Sequence, residues 1–148
     1  MLFYRKSSST MKYIKISAVL IFSLLAACSM QPEKTFQDEL VGNWRIEMIK
    51  DNPVVDFSAA SLRFSADGTL SGNASCNNFS SAYVIDGNNI NLEEGAATRK
   101  MCLEALMLQE NRMLAAMTEV RTARIENGML HMEGEGGVLI YKAAPSIK

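Results

Sequence analysis

Cys28 closes the tetrapeptide Leu25-Ala26-Ala27-Cys28, where the small side chains of Ala26 and Ala27 fit a peptidase pocket and the thiol at the next position supplies a nucleophile for acylation. The rest of the chain offers little other chemistry. His131 is its one histidine, and Cys76 and Cys102 are the remaining cysteines. A tetrahedral metal centre needs about three or four nitrogen or sulfur ligands, so no metal is expected. No serine stands in a Gly-x-Ser-x-Gly elbow, and a single histidine is the only imidazole base available to any of them. Gly72-Asn73-Ala74-Ser75 and Gly134-Glu135-Gly136-Gly137 lack the spacing of phosphate-binding loops and read as turn and sheet-closure glycines. Glu93-Glu94-Gly95 could hold an acid and a base, but reads as a charged strand end. Neither a cofactor nor catalysis is expected.

The segment before Cys28 has the order of an export signal. Arg5, Lys6, Lys12 and Lys15 form a basic leader, Ile16 to Leu25 an apolar core of ten residues, and Ala26-Ala27 a small-residue cut site. Ten residues are too few to cross a hydrocarbon layer that takes about 20. The whole resembles a bacterial lipoprotein signal, complete from either Met1 or Met11, with residues 1–27 removed and Cys28 lipidated as the first mature residue. Several acyl chains, at about 0.8 kcal/mol per buried CH₂, would anchor the protein to a membrane durably. Ser29 rather than aspartate follows the lipid position, which favours the outer membrane, facing the periplasm, under the enteric sorting rule. Removing residues 1–27 takes away four of fifteen basic residues and none of sixteen acidic ones, leaving a net charge of about −5. Without clustered Lys and Arg, neither nucleic acid nor an anionic lipid surface is a partner. An envelope protein or an apolar ligand remains as the class of partner.

Export also bears on the other two cysteines. With Cys28 given to lipid, Cys76 and Cys102 are left as a pair in an oxidising compartment, and a disulfide between them is expected; two buried free thiols are the alternative. The bond would close a loop of about 25 residues, worth roughly 3 to 4 kcal/mol on the chain-entropy account.

The elements that must carry these residues follow from periodicity. Residues 28–38 are polar, without a period, and read as a tether; folding is expected from about 39 to 143. Trp44 to Ile49 alternates with Trp44, Ile46 and Met48 on one face, until Asn52-Pro53 breaks it. Strands from Ser61 to Phe64 and from Thr69 to about Ser75 flank Asp67-Gly68; further pairs flank Asp86 to Asn89 and Asn127-Gly128; a last strand covers Val138 to Tyr141. His131 lies opposite Leu130 and Met132, as an exposed strand residue. Between these hairpins Leu103, Leu106, Met107, Met113, Leu114 and Met117 recur at three- and four-residue spacing, which predicts an amphipathic helix over about Leu103 to Thr118 with a methionine-rich packing stripe. Glu104, Gln109, Asn111 and Arg112 fall away from that stripe and Glu110 at its edge; no side chain before it makes a good cap. The fold class is α+β: an antiparallel sheet or incomplete barrel of about seven or eight short strands, a hairpin meander, packed with one helix.

Three pieces of sequence then stand together. They are Gly42 to Trp44, the run Ser71-Gly72-Asn73-Ala74-Ser75-Cys76-Asn77-Asn78-Phe79-Ser80, and Thr98-Arg99-Lys100-Met101-Cys102 before the helix. This order resembles the META domain, the HslJ-type family of small exported lipoproteins, over about Leu40 to Lys142. Leu103 departs from the family, where proline often follows the second cysteine, and Asn78 stands where a bulkier residue is common. The resemblance implies a β-rich fold with one helix, a bond between the two cysteines, no established catalysis, and an association with heat shock and resistance to some antibiotics. It implies an envelope-stress or binding module of unknown ligand. The alternative is a carrier or pilot: META domains resemble in fold the pilot lipoproteins of type III secretion, whose split barrel holds an apolar tail, and the Met-rich helix beside an incomplete barrel would leave this chain a groove for an apolar tail or partner segment. Asn77, Asn78 and Arg99 are the candidate partner surface: the two asparagines could instead serve turn chemistry, and the Arg99 guanidinium could lock carbonyls or a carboxylate.

Overall fold

The computed structural model describes residues 34–146; Cys28, where lipidation is expected, and the expected signal segment lie outside the described residues. Helix α1 (Phe36–Leu40) is the first element among the described residues, although residues 28–38 read as tether. A capping box starts it. The Asp38 N–H donates to the Thr35 hydroxyl at 3.2 Å and the Thr35 N–H donates to the Asp38 carboxylate at 3.1 Å. Leu40 at its end is fully buried, and its carbonyl accepts the Trp44 indole N–H at 2.8 Å, which fixes the helix to the strand that follows.

The strands are β1 (Gly42–Ile49), β2 (Asn52–Pro53), β3 (Ser61–Phe64), β4 (Thr69–Asn73), β5 (Asn78–Asp86), β6 (Asn89–Leu92) and β7 (Ala96–Ala97), then β8 (Thr122–Glu126), β9 (Met129–Glu133) and β10 (Leu139–Pro145). Helix α2 (Glu104–Met117) is inserted between β7 and β8. All pairings are antiparallel, as the hairpin turns require. Asn52-Pro53 does not simply end the first strand: Lys50 takes a positive φ of 51° and β2 folds back on Met48 and Ile49. The two-residue strands β2 and β7 are too short to show a period, which is why ten strands appear where seven or eight are legible.

Hydrogen bonding runs in the order β10-β9-β8-β6-β5-β4-β3-β1, and β10 pairs back onto β1, so the sheet closes into a ring. The seam between β6 and β8 is narrow. It holds Asn89 opposite Thr122, with the Ile90 N–H donating to Arg121 at 2.9 Å and the Ala123 N–H donating to Asn88 at 2.9 Å. Period-two alternation sends Trp44, Ile46, Leu62, Phe64, Leu70, Leu130, Met132 and Ile140 inward, where they meet Met113 and Ala116 of α2. Tyr141 is fully buried and its hydroxyl donates to the carbonyl of Met113, tying strand β10 to the helix. Burial, and then the charge of Glu119, push its phenol well above the ordinary tyrosine range.

Gly72 is the position where the sheet needs an absent side chain. A Cβ there would stand 2.0 Å from the Ser61 carbonyl oxygen on the paired strand. At Asn127-Gly128 both residues take positive φ, 52° and 75°, the backbone of a two-residue hairpin turn between β8 and β9.

Candidate functional site

The motif residues converge on one strap of chain, Ala96 to Cys102, made of β7 and the run that leads from it toward α2. Cys102 is bonded to Cys76, with the Cα atoms 5.9 Å apart, so the strap's end is fastened beside the start of β5. Asn77 follows Cys76 and is 97 % buried by its 3 % exposure. Its side chain does not make the local turn bonds its type suggests. The amide oxygen accepts the Lys100 N–H at 2.7 Å and the Thr98 hydroxyl at 2.8 Å. The amide nitrogen donates to the Lys100 carbonyl at 3.3 Å and to the Glu110 carboxylate at 3.0 Å. The Asn77 backbone N–H donates to the other Glu110 oxygen at 2.7 Å. One residue thereby joins hairpin, strap and helix.

Asn78 is exposed; its side-chain oxygen accepts from Asn73 at 2.9 Å, and its carbonyl accepts the Thr98 N–H at 2.9 Å. The residue that takes the positive φ is Ser75 at 109°, not either asparagine. Asn73 steadies it by accepting the Ser75 N–H at 2.8 Å. Arg99 is exposed and, among the described residues, makes no ion pair and no side-chain hydrogen bond. The carboxylate or carbonyl lock weighed for it is therefore taken by Asn77 instead.

A second polar cluster was invisible to the pattern. Gln109, placed by the stripe on the outer side of α2, is 3 % exposed and faces inward. Counting from Gln109, the buried positions are Met113, Ala116 and Met117, one helical face that the exposed Leu103 and Leu108 do not share. The Gln109 amide nitrogen donates to the hydroxyls of Ser58 at 2.8 Å and Ser75 at 2.7 Å, and its oxygen accepts the Val55 N–H at 2.8 Å. A backbone N–H can meet only the oxygen, so the amide has a single orientation here. No buried side-chain nitrogen or oxygen among the described residues lacks a partner.

Beside these clusters lies a half-open groove of about 460 Å³. Leu114, Met117 and Thr118 of the last helical turns form one wall, and Phe79 and Ser81 of β5, Leu92 of β6 and residues Glu93 to Ala97 form the others. Its floor is apolar and its rim carries two carboxylates. Gly95 keeps the strap tight against β5, since a Cβ there would fall 2.2 Å from the Ser80 carbonyl oxygen. A groove beside the helix is what the carrier reading expects, but no sequence signal marks its lining, because its walls are brought together from four separate elements.

A family model described as META domain matches residues 37–146. The fold is similar to an NMR structure of a protein from Burkholderia xenovorans, at TM-score 0.62 and 15% identity over 83% of this chain and 97% of that one. It is also similar to a crystal structure of a DUF4847 family protein from Bacteroides vulgatus, at TM-score 0.56 and 14% identity over 74% of this chain and 95% of that one. A third solved structure, by NMR, has 21% identity at TM-score 0.57, over 74% and 95% of the two chains. No curated protein matches the chain.

Proposed function

The chain belongs to the META domain family, and from that membership we propose that it is a non-catalytic binding module, held by lipid on Cys28 at the periplasmic face of the bacterial outer membrane. The address is supported by Leu25-Ala26-Ala27-Cys28 with its basic leader and apolar core, and by Ser29 at the sorting position. The binding role is supported by one observation, the half-open groove along the last turns of α2. Beneath it the barrel interior is filled by the closed cluster of Trp44, Phe64, Leu70, Met113 and Tyr141, so a ligand has the groove and not the core to enter. An envelope-stress or antibiotic-tolerance role would then be exercised through whatever the groove retains. The carrier reading is the form of this proposal in which the occupant is an apolar tail.

A photo-crosslinking residue at Leu114, in the lipidated protein within its native envelope, tests the reading. A discrete adduct is expected that the same residue at Val84, exposed on β5 outside the groove wall, does not give. Identical adduct patterns at the two positions would refute the groove as the binding site.

A further inference from the structure

We propose that the groove takes an extended, apolar peptide with a basic end, added as a strand to the free edge of β7. The inference rests on the groove being the binding site and names its occupant. Strand β7 pairs with β5 alone and lies off the path of the ring. The Thr98 N–H donates to Asn78, which makes that pair hydrogen-bonded; Ala97, one residue earlier and opposite Phe79, therefore turns its own N–H and carbonyl away from β5. Among the described residues no strand stands on that side to take them. An open edge of this kind is a template for another polypeptide backbone, whereas an acyl chain has nothing to offer it.

Two further features select the occupant. Glu93 and Glu94 line the same groove and carry negative charge to its rim, which suits a lysine or arginine on the incoming strand. The edge is also held rigid before anything binds. Asn77 fixes both main-chain groups of Lys100, the Asn78 carbonyl accepts from Thr98, and the disulfide fixes Cys102. A lone two-residue strand would otherwise fray, so this fastening makes β7 a standing template at little ordering cost to the ligand.

The test uses the full chain, followed by NMR, and an eight-residue peptide of alternating valine and serine ending in two lysines. The Ala97 amide and the Met117 methyl are expected to shift together. N-methylation of one alternate set of peptide amides should weaken binding about tenfold or more, while methylation of the other set, whose N–H groups point away from β7, leaves it unchanged. Replacing the two lysines by glutamates, or introducing Glu93→Gln with Glu94→Gln, should weaken binding and flatten its salt dependence. Equal effects of the two methylation sets overturn the strand geometry, and equal binding of the lysine and glutamate peptides overturns the charge selection. A response of the Met117 methyl to palmitate without any response to the peptide overturns the peptide occupant and leaves the groove as a binding site. Silence of that methyl to both probes overturns both readings.

Discussion

Asn77 and Glu110 are joined twice, by a backbone N–H at 2.7 Å and a side-chain N–H at 3.0 Å, each to a different oxygen of the same carboxylate. They stand 33 residues apart in sequence and tie the start of β5 to the middle of α2. Leu103 at the N-cap of the helix gives it no side-chain cap, so its position is set from its flank by this pair and from its end by the disulfide. Asn77→Ala would strand the Lys100 N–H, the Thr98 hydroxyl and one Glu110 oxygen, each costing about 1 to 3 kcal/mol where water cannot reach. A net loss of about 2 to 4 kcal/mol is expected in urea unfolding. Asn77→Asp should cost at least as much, because it sets a second carboxylate against Glu110.

The disulfide and Asn77 fasten the same strap, so their contributions should not add. Reducing Cys76–Cys102, separated by 26 residues, is expected to lower stability by about 3 to 4 kcal/mol. In a double-mutant cycle, Cys76→Ala with Cys102→Ala should shrink the cost of Asn77→Ala by a measurable fraction, since the freed strap no longer holds Thr98 and Lys100 in place for the amide. Strict additivity of the two unfolding free energies would show that they act on separate parts of the structure.

The sequence was most readable where partners are close along the chain. Asp67-Gly68, Asp86 to Asn89 and Asn127-Gly128 mark turns whose strands pair across them, and alternation puts His131 opposite the buried Leu130 and Met132, although His131 is half-buried and not exposed as expected. Helix α2 was visible for the same reason, and its bounds fell within a residue of Leu103 to Thr118. Gln109 was misplaced because a polar residue counts against a stripe, while its burial depends on Val55, Ser58 and Ser75, which lie 34 to 54 residues away. Asn77 suited a turn by type, but its partners Thr98, Lys100 and Glu110 are also distant. Helix α1 had a usable signal in Thr35-Phe36-Gln37-Asp38, a capping-box spacing with Asp in place of the usual Glu or Gln, that the lack of a period concealed.

Gln109 offers a contrast between removal and replacement. Gln109→Ala leaves the Val55 N–H and the Ser58 and Ser75 hydroxyls without the amide, and deletes volume from a buried face; a loss of about 2 to 4 kcal/mol is expected. Gln109→Glu keeps the side-chain volume and an acceptor for the Val55 N–H, so while its carboxyl is protonated it should cost less than the alanine; burial disfavours the charged form, so the loss should grow as pH rises and the carboxyl ionises. Thermal unfolding of the two variants across pH 4 to 8 would check the order.

Asp67 gives a pH dependence with a definite sign. The Thr69 N–H donates to its carboxylate at 3.0 Å within the β3–β4 turn, and that hydrogen bond holds its pKa below the ordinary carboxylate value. A carboxyl whose pKa is lowered on folding contributes stability that is present above its unfolded pKa and is lost as pH falls through its folded one. The advantage of the wild-type chain over Asp67→Asn in thermal unfolding should therefore be full near neutrality and shrink as the solution is taken below the ordinary carboxylate range. An advantage that persisted unchanged to the lowest pH would mean that the turn is held by side-chain shape and not by charge.

Cys28, which lies outside the described residues, is the position from which the proposed location can be checked. The described fold starts at Thr35 with its own capping box, and neither of the two bonded cysteines depends on residue 28. Cys28→Ser should therefore abolish incorporation of a labelled fatty acid and move the protein from the membrane to the soluble fraction, while its unfolding midpoint in urea stays within experimental error of the wild type. Fractionation alone would not separate lipid anchoring from docking to a membrane protein, but fatty-acid incorporation does. If the variant stayed with the membrane and the wild type took up no label, the attachment would have to run through a protein partner, and the groove along α2 would be the first surface to test.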